Sequence, residues 1–175
     1  MSVNELSMDL MTVIRSLDRT AGRIEELLLR VPRSRWNVRP SGIHWSFVEN
    51  VCHLRDIESM GYGERVRRIL EEEVPFLPDI DGAALAIERT YRDQDARQVL
   101  REFGTARRNT ILRLEPLKEG QLSREGRFDD GVITLRALVE RMRAHDEEHL
   151  NDLAVLCECF ENEKDSNSDS SNARV

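Results

Sequence analysis

Residues that bend, cross-link or stiffen a backbone are scarce in this chain. Its 175 residues include only 9 glycines, 5 prolines and 3 cysteines, and aromatics make up 5%. Strand-rich folds spend Gly and Pro on their many turns, so this scarcity suits long amphipathic helices instead. The cysteines are too few for a disulfide framework. Cys157 and Cys159 fall two apart within a helical pattern and so point in different directions, which argues against a metal or redox pair and for a reducing compartment. A surplus of positive charge is also missing: 26 Lys and Arg stand against 33 Asp and Glu, a net charge of -7. Binding to nucleic acid draws its affinity from such a surplus, so nucleic acid is not expected as a partner. No apolar run approaches the length of a membrane span. The stretch Met1 to Leu10 lacks the basic start and apolar block of a signal peptide. A soluble, cytoplasmic protein without a membrane partner is therefore expected.

What is abundant is helical patterning. Hydrophobic residues make up 39% and charged residues 34%, and the length suits a single domain. A first helix is predicted from about Asn4 to Arg30, where Leu6, Leu10, Val13, Ile14, Leu17, Ala21, Ile24 and Leu28 recur three and four apart, and Pro32 ends it. Arg33 to Ile43 reads as a loop. A second helix opens at Ser46, whose hydroxyl and Glu49 form a capping box, and runs to about Glu72. Pro75, Pro78 and Gly82 interrupt the pattern, leaving a crossover with a short helix over Asp81 to Arg89. A third long helix spans Asp95 to Leu117. Gly120 and Asp130-Gly131 mark a loop. The last helix starts near Thr134 and carries Leu135, Leu138, Met142, His145, His149, Leu153, Leu156 and Phe160 along one stripe. Four helices with one apolar stripe each bury those stripes most economically in a four-helix bundle, here with a longer crossover between helices two and three. The domain is expected to cover residues 1–160. The polar segment 161–175 has almost nothing apolar and is expected to be a disordered tail.

Two histidines in the last apolar stripe are the chemical anomaly. His145 and His149 stand four apart, which places two imidazoles on one helix face about one turn apart, close enough to chelate one metal ion. Burying two such rings is costly unless something binds both. The alternative is a pair of core histidines satisfied by carboxylates or carbonyls. His53 lies at the edge of the second helix's stripe. If helices two and four pack side by side, it can complete a three-imidazole set with a coordination position left open. Alone, it reads more readily as a partly exposed helix residue than as a ligand.

The neighbours have plainer readings. Glu49 is a cap first and only secondarily a base placed behind the metal ligands, while Trp45 and Phe47 pack at the helix entrance. His44 belongs to a solvated loop or a pocket edge. Asp146 is turned about 100° from its histidine neighbour and either orients a residue of another helix or faces solvent. Cys52 diverges from His53. Arg65, Arg67, Arg68, Arg107 and Arg108 are expected on solvated faces paired with acids, with one of them available to recognise a carboxylate-bearing substrate.

The run Trp45-Ser46-Phe47-Val48-Glu49-Asn50-Val51-Cys52-His53-Leu54, followed downstream by His145-Asp146-Glu147-Glu148-His149-Leu150, resembles the paired motifs of the DinB-like superfamily. The similarity covers about residues 4–160. It implies an up-up-down-down-like four-helix bundle, often dimeric, with zinc, nickel or iron held by His53, His145 and His149. It also implies a metal-dependent enzyme acting on a small molecule, in which the open position activates water, as in a hydrolase, or a low-molecular-weight thiol, as in an S-transferase. Thiol transfer resembles the better understood branch of that family and is the reaction preferred on the sequence, although no residue outside the three histidines identifies a thiol cofactor. Two other classes stay open: a non-catalytic dimeric helical stress or interaction protein with a structural or residual metal site, and a DNA-associated damage-response factor. The acidic charge speaks against the second.

Overall fold

The computed structural model describes the backbone of residues 3–43, 45–77 and 79–172, and the side chains of that set from residue 10 to 163. His44, expected in a loop, and Pro78, expected as a break in the helical pattern, lie outside the described residues. So does the Leu6 side chain, expected in the first stripe.

Four long helical elements form the bundle. The first, α1, spans Val3–Arg30, and its stripe of Leu10, Val13, Ile14, Leu17, Ile24 and Leu28 is buried as the spacing requires. The second begins at Phe47 behind a complete capping box: Ser46 accepts from the Glu49 N–H, and Glu49 accepts from the Ser46 N–H at 2.8 Å. It runs as α2 (Phe47–Asp56), a π-helical turn (Ile57–Tyr62) and α3 (Gly63–Glu71). The wide turn carries the Glu58 side chain into the bundle, where it is 1% exposed. Gly63 closes the turn because a Cβ there would lie 2.9 Å from both the Glu58 carbonyl and the Thr110 hydroxyl. The third long helix is α5 (Ala96–Leu114), capped by Asp95, and the fourth is α7 (Leu135–Asn172). Both α1 and α2 pack against α5 and α7. Helices two and four of the bundle are therefore neighbours.

The crossover contains α4 (Gly82–Glu88), capped by Asp81 as expected. Arg89 and Tyr91, just beyond it, both donate to the buried Asp56 of α2, which ties the crossover to the bundle. The segment expected as a loop near Gly120 and Asp130-Gly131 is more ordered than its composition suggests. It forms α6 (Glu119–Leu122) and a hairpin of β1 (Glu125–Phe128) and β2 (Gly131–Thr134) in antiparallel register. The hairpin grips the crossover through Leu77 N–H to Arg127 O at 2.7 Å and Arg127 N–H to Pro75 O at 2.8 Å. A second difference concerns the end of the chain. The backbone of α7 is helical to Asn172, although composition suggested disorder from residue 161. Its first turn past that boundary carries the ion pairs Arg30–Glu161 and Arg35–Glu163.

The buried apolar residues separate into two clusters. One holds Ile24, Leu28, Phe47, Leu54, Phe103, Leu150 and Leu153. The other holds Leu10, Leu17, Ile57, Ile111, Leu138 and Met142. A polar layer divides them. Its centre is Arg107 of α5, 3% exposed, not on the solvated face that its neighbours suggested. Its Nε donates to Glu58 at 3.0 Å, its Nη2 to Asp146 at 2.9 Å and its Nη1 to the Leu17 carbonyl at 3.1 Å. Thr20 of α1 donates to Asp146 at 2.7 Å, and Thr110 donates to Glu58. One guanidinium thus joins all four long elements. Arg65 is likewise buried where a solvated position was expected. Arg67, Arg68 and Arg108 do lie towards solvent, paired with Glu64 and Glu71, with Glu72 and with Glu115.

Removing the guanidinium would leave two buried carboxylates uncompensated, which typically costs about 3–5 kcal/mol. Arg107→Met is therefore expected to lower the urea-unfolding free energy by that order, while Arg67→Met at the surface changes it by less than about 0.5 kcal/mol. A loss below about 1 kcal/mol for Arg107→Met would show that the layer is not the tie described.

Candidate metal centre

His53 projects from α2 one turn before the π-helical segment, and His145 and His149 project from adjacent α7. The three rings meet beside the polar layer, whose Arg107 acts electrostatically on His145. Their centroids lie 5.2 Å (His53–His145), 4.7 Å (His53–His149) and 4.6 Å (His145–His149) apart. One ligand nitrogen from each falls within 4.8 Å of the others, and the group contains no carboxylate or thiol. The Nε2 atoms of His53 and His145 face each other at 3.2 Å. A tetrahedral ion with metal–nitrogen bonds of 2.0–2.1 Å would set its ligands about 3.3 Å apart. The donor set fits a divalent ion in both spacing and chemistry.

The surroundings orient each ring. Asn50, one turn before His53 on α2, donates from Nδ2 to the Ser46 carbonyl at 3.1 Å, which turns its Oδ1 towards Nδ1 of His149 at 2.9 Å. An amide oxygen only accepts, so the His149 proton sits on Nδ1 and the Nε2 lone pair is left for an ion. The Trp45 ring lies 4.7 Å from that of His53 and stacks at 6.1 Å on His149, while Tyr62 lies 5.6 Å from His145. Gly82 of α4 abuts His53. A Cβ there would fall 2.6 Å from the ring's Nδ1, so glycine lets the crossover close over this ring without displacing it. That Nδ1 is buried without a hydrogen-bond partner among the described residues.

Electrostatics keep the rings in the ligand form. Burial, then the neighbouring imidazoles, depress His53 to about 3. Burial, then His149 and the guanidinium groups of Arg107, Arg141 and Arg65, depress His145 to about 3. Burial lowers His149 as well. All three are neutral at pH 7 and carry lone pairs.

The other candidates sort clearly. Asp146 orients a residue of another helix, Arg107, the first of its two expected roles. Glu49 spends its carboxylate on Ser46 and Arg39. Burial raises its pKa, but those hydrogen bonds outweigh burial and hold it below the ordinary value, which makes it a weak base. Cys52 turns away to the Tyr91 carbonyl. Asn50, Tyr62, Gly82 and Arg107 shape the centre, yet none was singled out for it by sequence. Trp45 appeared only as a packing residue.

Because the rings are buried neutral, the unfolded chain takes up protons before the folded one as pH falls. Stability without metal should therefore be full above about pH 6.5 and decline as pH drops from there towards 3, by on the order of 1 kcal/mol for each of His53 and His145 between pH 6.5 and 5, with His149 acting in the same direction. Urea unfolding of chelator-treated protein should show this slope, and His53→Asn/His145→Asn should flatten it. An equal slope in the double variant would contradict the buried neutral state.

Comparison with known proteins bears on the family and the fold. A family model described as the DinB superfamily matches residues 16–153. No curated protein matches the sequence. Among solved structures, YfiT from Bacillus subtilis superposes with a TM-score of 0.78 at 19% identity, covering 84% of this chain and 85% of that one. It is described as a probable metal-dependent hydrolase with an unusual four-helix bundle topology. At that identity the likeness establishes a shared fold. With more than half of its length matched by the family model, the chain belongs to the DinB superfamily.

Proposed function

We propose that this protein is a metal-dependent hydrolase of a small molecule, with a divalent zinc, nickel or iron ion held by His53, His145 and His149. The observation that carries the reading is the convergence of three neutral imidazoles with no fourth ligand in the group among the described residues. Three protein ligands with an open position are the arrangement of catalytic rather than structural sites. Glu49, the residue that would close the shell in a structural site, is engaged by Arg39 and Ser46. A bound ion would lower the pKa of a coordinated water and so supply a nucleophile at neutral pH.

The chain's own residues have definite parts in this scheme. His149 is aimed by Asn50, and His53 is confined by Gly82 and Trp45. Beside Trp45 and Asn50 opens a cavity of about 240 Å³, lined also by Gly42, Ile43, Asp152 and Val155, with room for only a small ligand. The description of YfiT as a probable metal-dependent hydrolase favours water over a thiol. S-transfer to or from a low-molecular-weight thiol would use the same open position, and its support is the family resemblance. A cytoplasmic homodimer belongs to the same reading: the dimer follows that resemblance, and free Cys52, Cys157 and Cys159 fit a reducing compartment. A net charge of -7 supports a small molecule rather than nucleic acid as the partner.

His149→Ala should lose stoichiometric metal while keeping its helical circular dichroism, and hydrolysis of activated ester and amide panels by the zinc-loaded, untagged protein should fall at least about 100-fold. Full metal content in the variant would defeat the assignment. Thiol transfer without hydrolysis by the loaded wild type would replace water with a thiol.

A further inference from the structure

We propose that the cavity beside Trp45 binds a small organic cation, an alkylammonium group, with Asp152 as its counter-charge. Its assignment as the charged end of the substrate rests on the metal-centre reading above, whereas the charge and lining of the cavity do not.

Asp152 is the one ionisable side chain in the wall of this cavity of about 240 Å³, whose other described members are Gly42, Ile43, Trp45, Asn50 and Val155. The Asn50 amide is already engaged at both ends, by the Ser46 carbonyl and by Nδ1 of His149. Asp152 is not. Among the described residues it forms no ion pair with Lys or Arg, and its Oδ2 lies 3.8 Å from Nδ1 of His149, a ring that is neutral in the ligand form described above. Glu148, one turn earlier on α7, acts on the same imidazole with the same sign. Four other cavities on the chain each have a basic residue in the wall: Arg97, Arg15, Arg143 and Lys118 respectively. The wall beside Trp45 has a carboxylate and no cation.

The lining selects among cations. A bare metal ion such as magnesium or calcium wants several oxygen ligands, and this wall offers one unengaged carboxylate. An organic cation finds what it needs here: indole is the aromatic ring that attracts a positive charge most strongly, and Ile43 and Val155 can cover hydrocarbon. Val155 is 45% exposed, so a ligand that covers it removes apolar surface from water. The net charge of -7 raises the concentration of cations around the chain. The cavity also adjoins the candidate centre, because Trp45 lies 4.7 Å from the His53 ring and stacks at 6.1 Å on that of His149. Asn50 and Asp152 approach His149 at Nδ1, whereas the lone pair left for an ion is on Nε2. A cation held by Asp152 therefore takes no ligand from the centre. On the hydrolase reading, the class indicated is a short amine with a hydrolysable bond a few atoms from its ammonium group.

The test is a titration of the full-length, untagged, ¹⁵N-labelled chain with n-butylammonium, n-butanol, butyrate and magnesium chloride at constant ionic strength, in chelator-treated and zinc-loaded forms, read by indole N–H resonances. Trp36, whose buried indole donates to the Val31 carbonyl, is the internal reference. Without metal, where the amine has no zinc to ligate, n-butylammonium should bind saturably and shift the Trp45 indole and the Asn50 side-chain amide while Trp36 stays in place. Butanol and butyrate should bind at least about fivefold more weakly, and Asp152→Asn should weaken n-butylammonium at least about threefold. The Asp152 side chain is 58% exposed, so that variant keeps the fold. Glu140→Gln, an equal change of charge about three turns away on the same helix, should bind as wild type. Equal binding of n-butylammonium and n-butanol, unchanged binding in Asp152→Asn, or magnesium saturating the same signals at lower concentration would overturn the site. Metal content is measured separately on the same samples. Binding of n-butylammonium by a chain that takes up no metal would keep the cation site and sink the metal centre, and a stoichiometric ion in a chain that ignores n-butylammonium would do the opposite.

Discussion

One buried arginine sets the level at which everything else in this bundle is assembled. Arg107 bridges Glu58 and Asp146 and reaches the Leu17 carbonyl, so α1, the π-helical turn, α5 and α7 are joined by directional bonds in a single layer. Apolar stripes alone tolerate sliding of one helix past another, because dispersion is indifferent to small shifts in register. A charged group with two carboxylate partners does not tolerate it, since any slip leaves a buried charge unpaired. Asp146 immediately follows His145 in sequence. The bond that fixes Asp146 therefore also fixes the height at which the α7 imidazoles meet His53.

That placement explains why a candidate metal centre and a stable core coexist. The polar layer divides the apolar interior into two clusters and opens at one end onto the histidines. At the closed end, charges are compensated within the chain. At the open end, three neutral imidazoles point lone pairs at a common space, compensation that an ion from outside can supply. The crossover contributes through its lack of bulk at Gly82, and the hairpin contributes by holding that crossover in position.

Much of this was legible in the residues. The three-and-four spacing of α1, α5 and α7 marks helices because burial demands one continuous face, and the Ser46–Glu49 box marks the start of α2 because it satisfies orphan N–H groups locally. The convergence of His53 with His145 and His149 followed once α2 and α7 were taken as neighbours. The Arg107 layer was harder to see. On α5 it stands four residues after Phe103 and four before Ile111, squarely in the apolar stripe, and that interruption was the available signal. Its arginine-rich neighbours made it look solvated. The π-helical turn was not readable at all, since it depends on where Glu58 finds its partner across the bundle. Nor was the role of Asn50, whose amide is turned by a backbone carbonyl of its own helix. The hairpin left a faint trace in Asp130-Gly131 followed by Val132, Ile133 and Thr134, too short to outweigh a loop.

The most direct measurement is X-ray absorption at the edge of the co-purifying metal in untagged protein, with metal per chain determined on the same sample. The account predicts one ion per chain, with a first shell of nitrogen and oxygen at about 2.0–2.1 Å and outer-shell scattering from three imidazoles. No stoichiometric ion under metal-replete conditions, or a shell containing sulfur at about 2.3 Å, would contradict it.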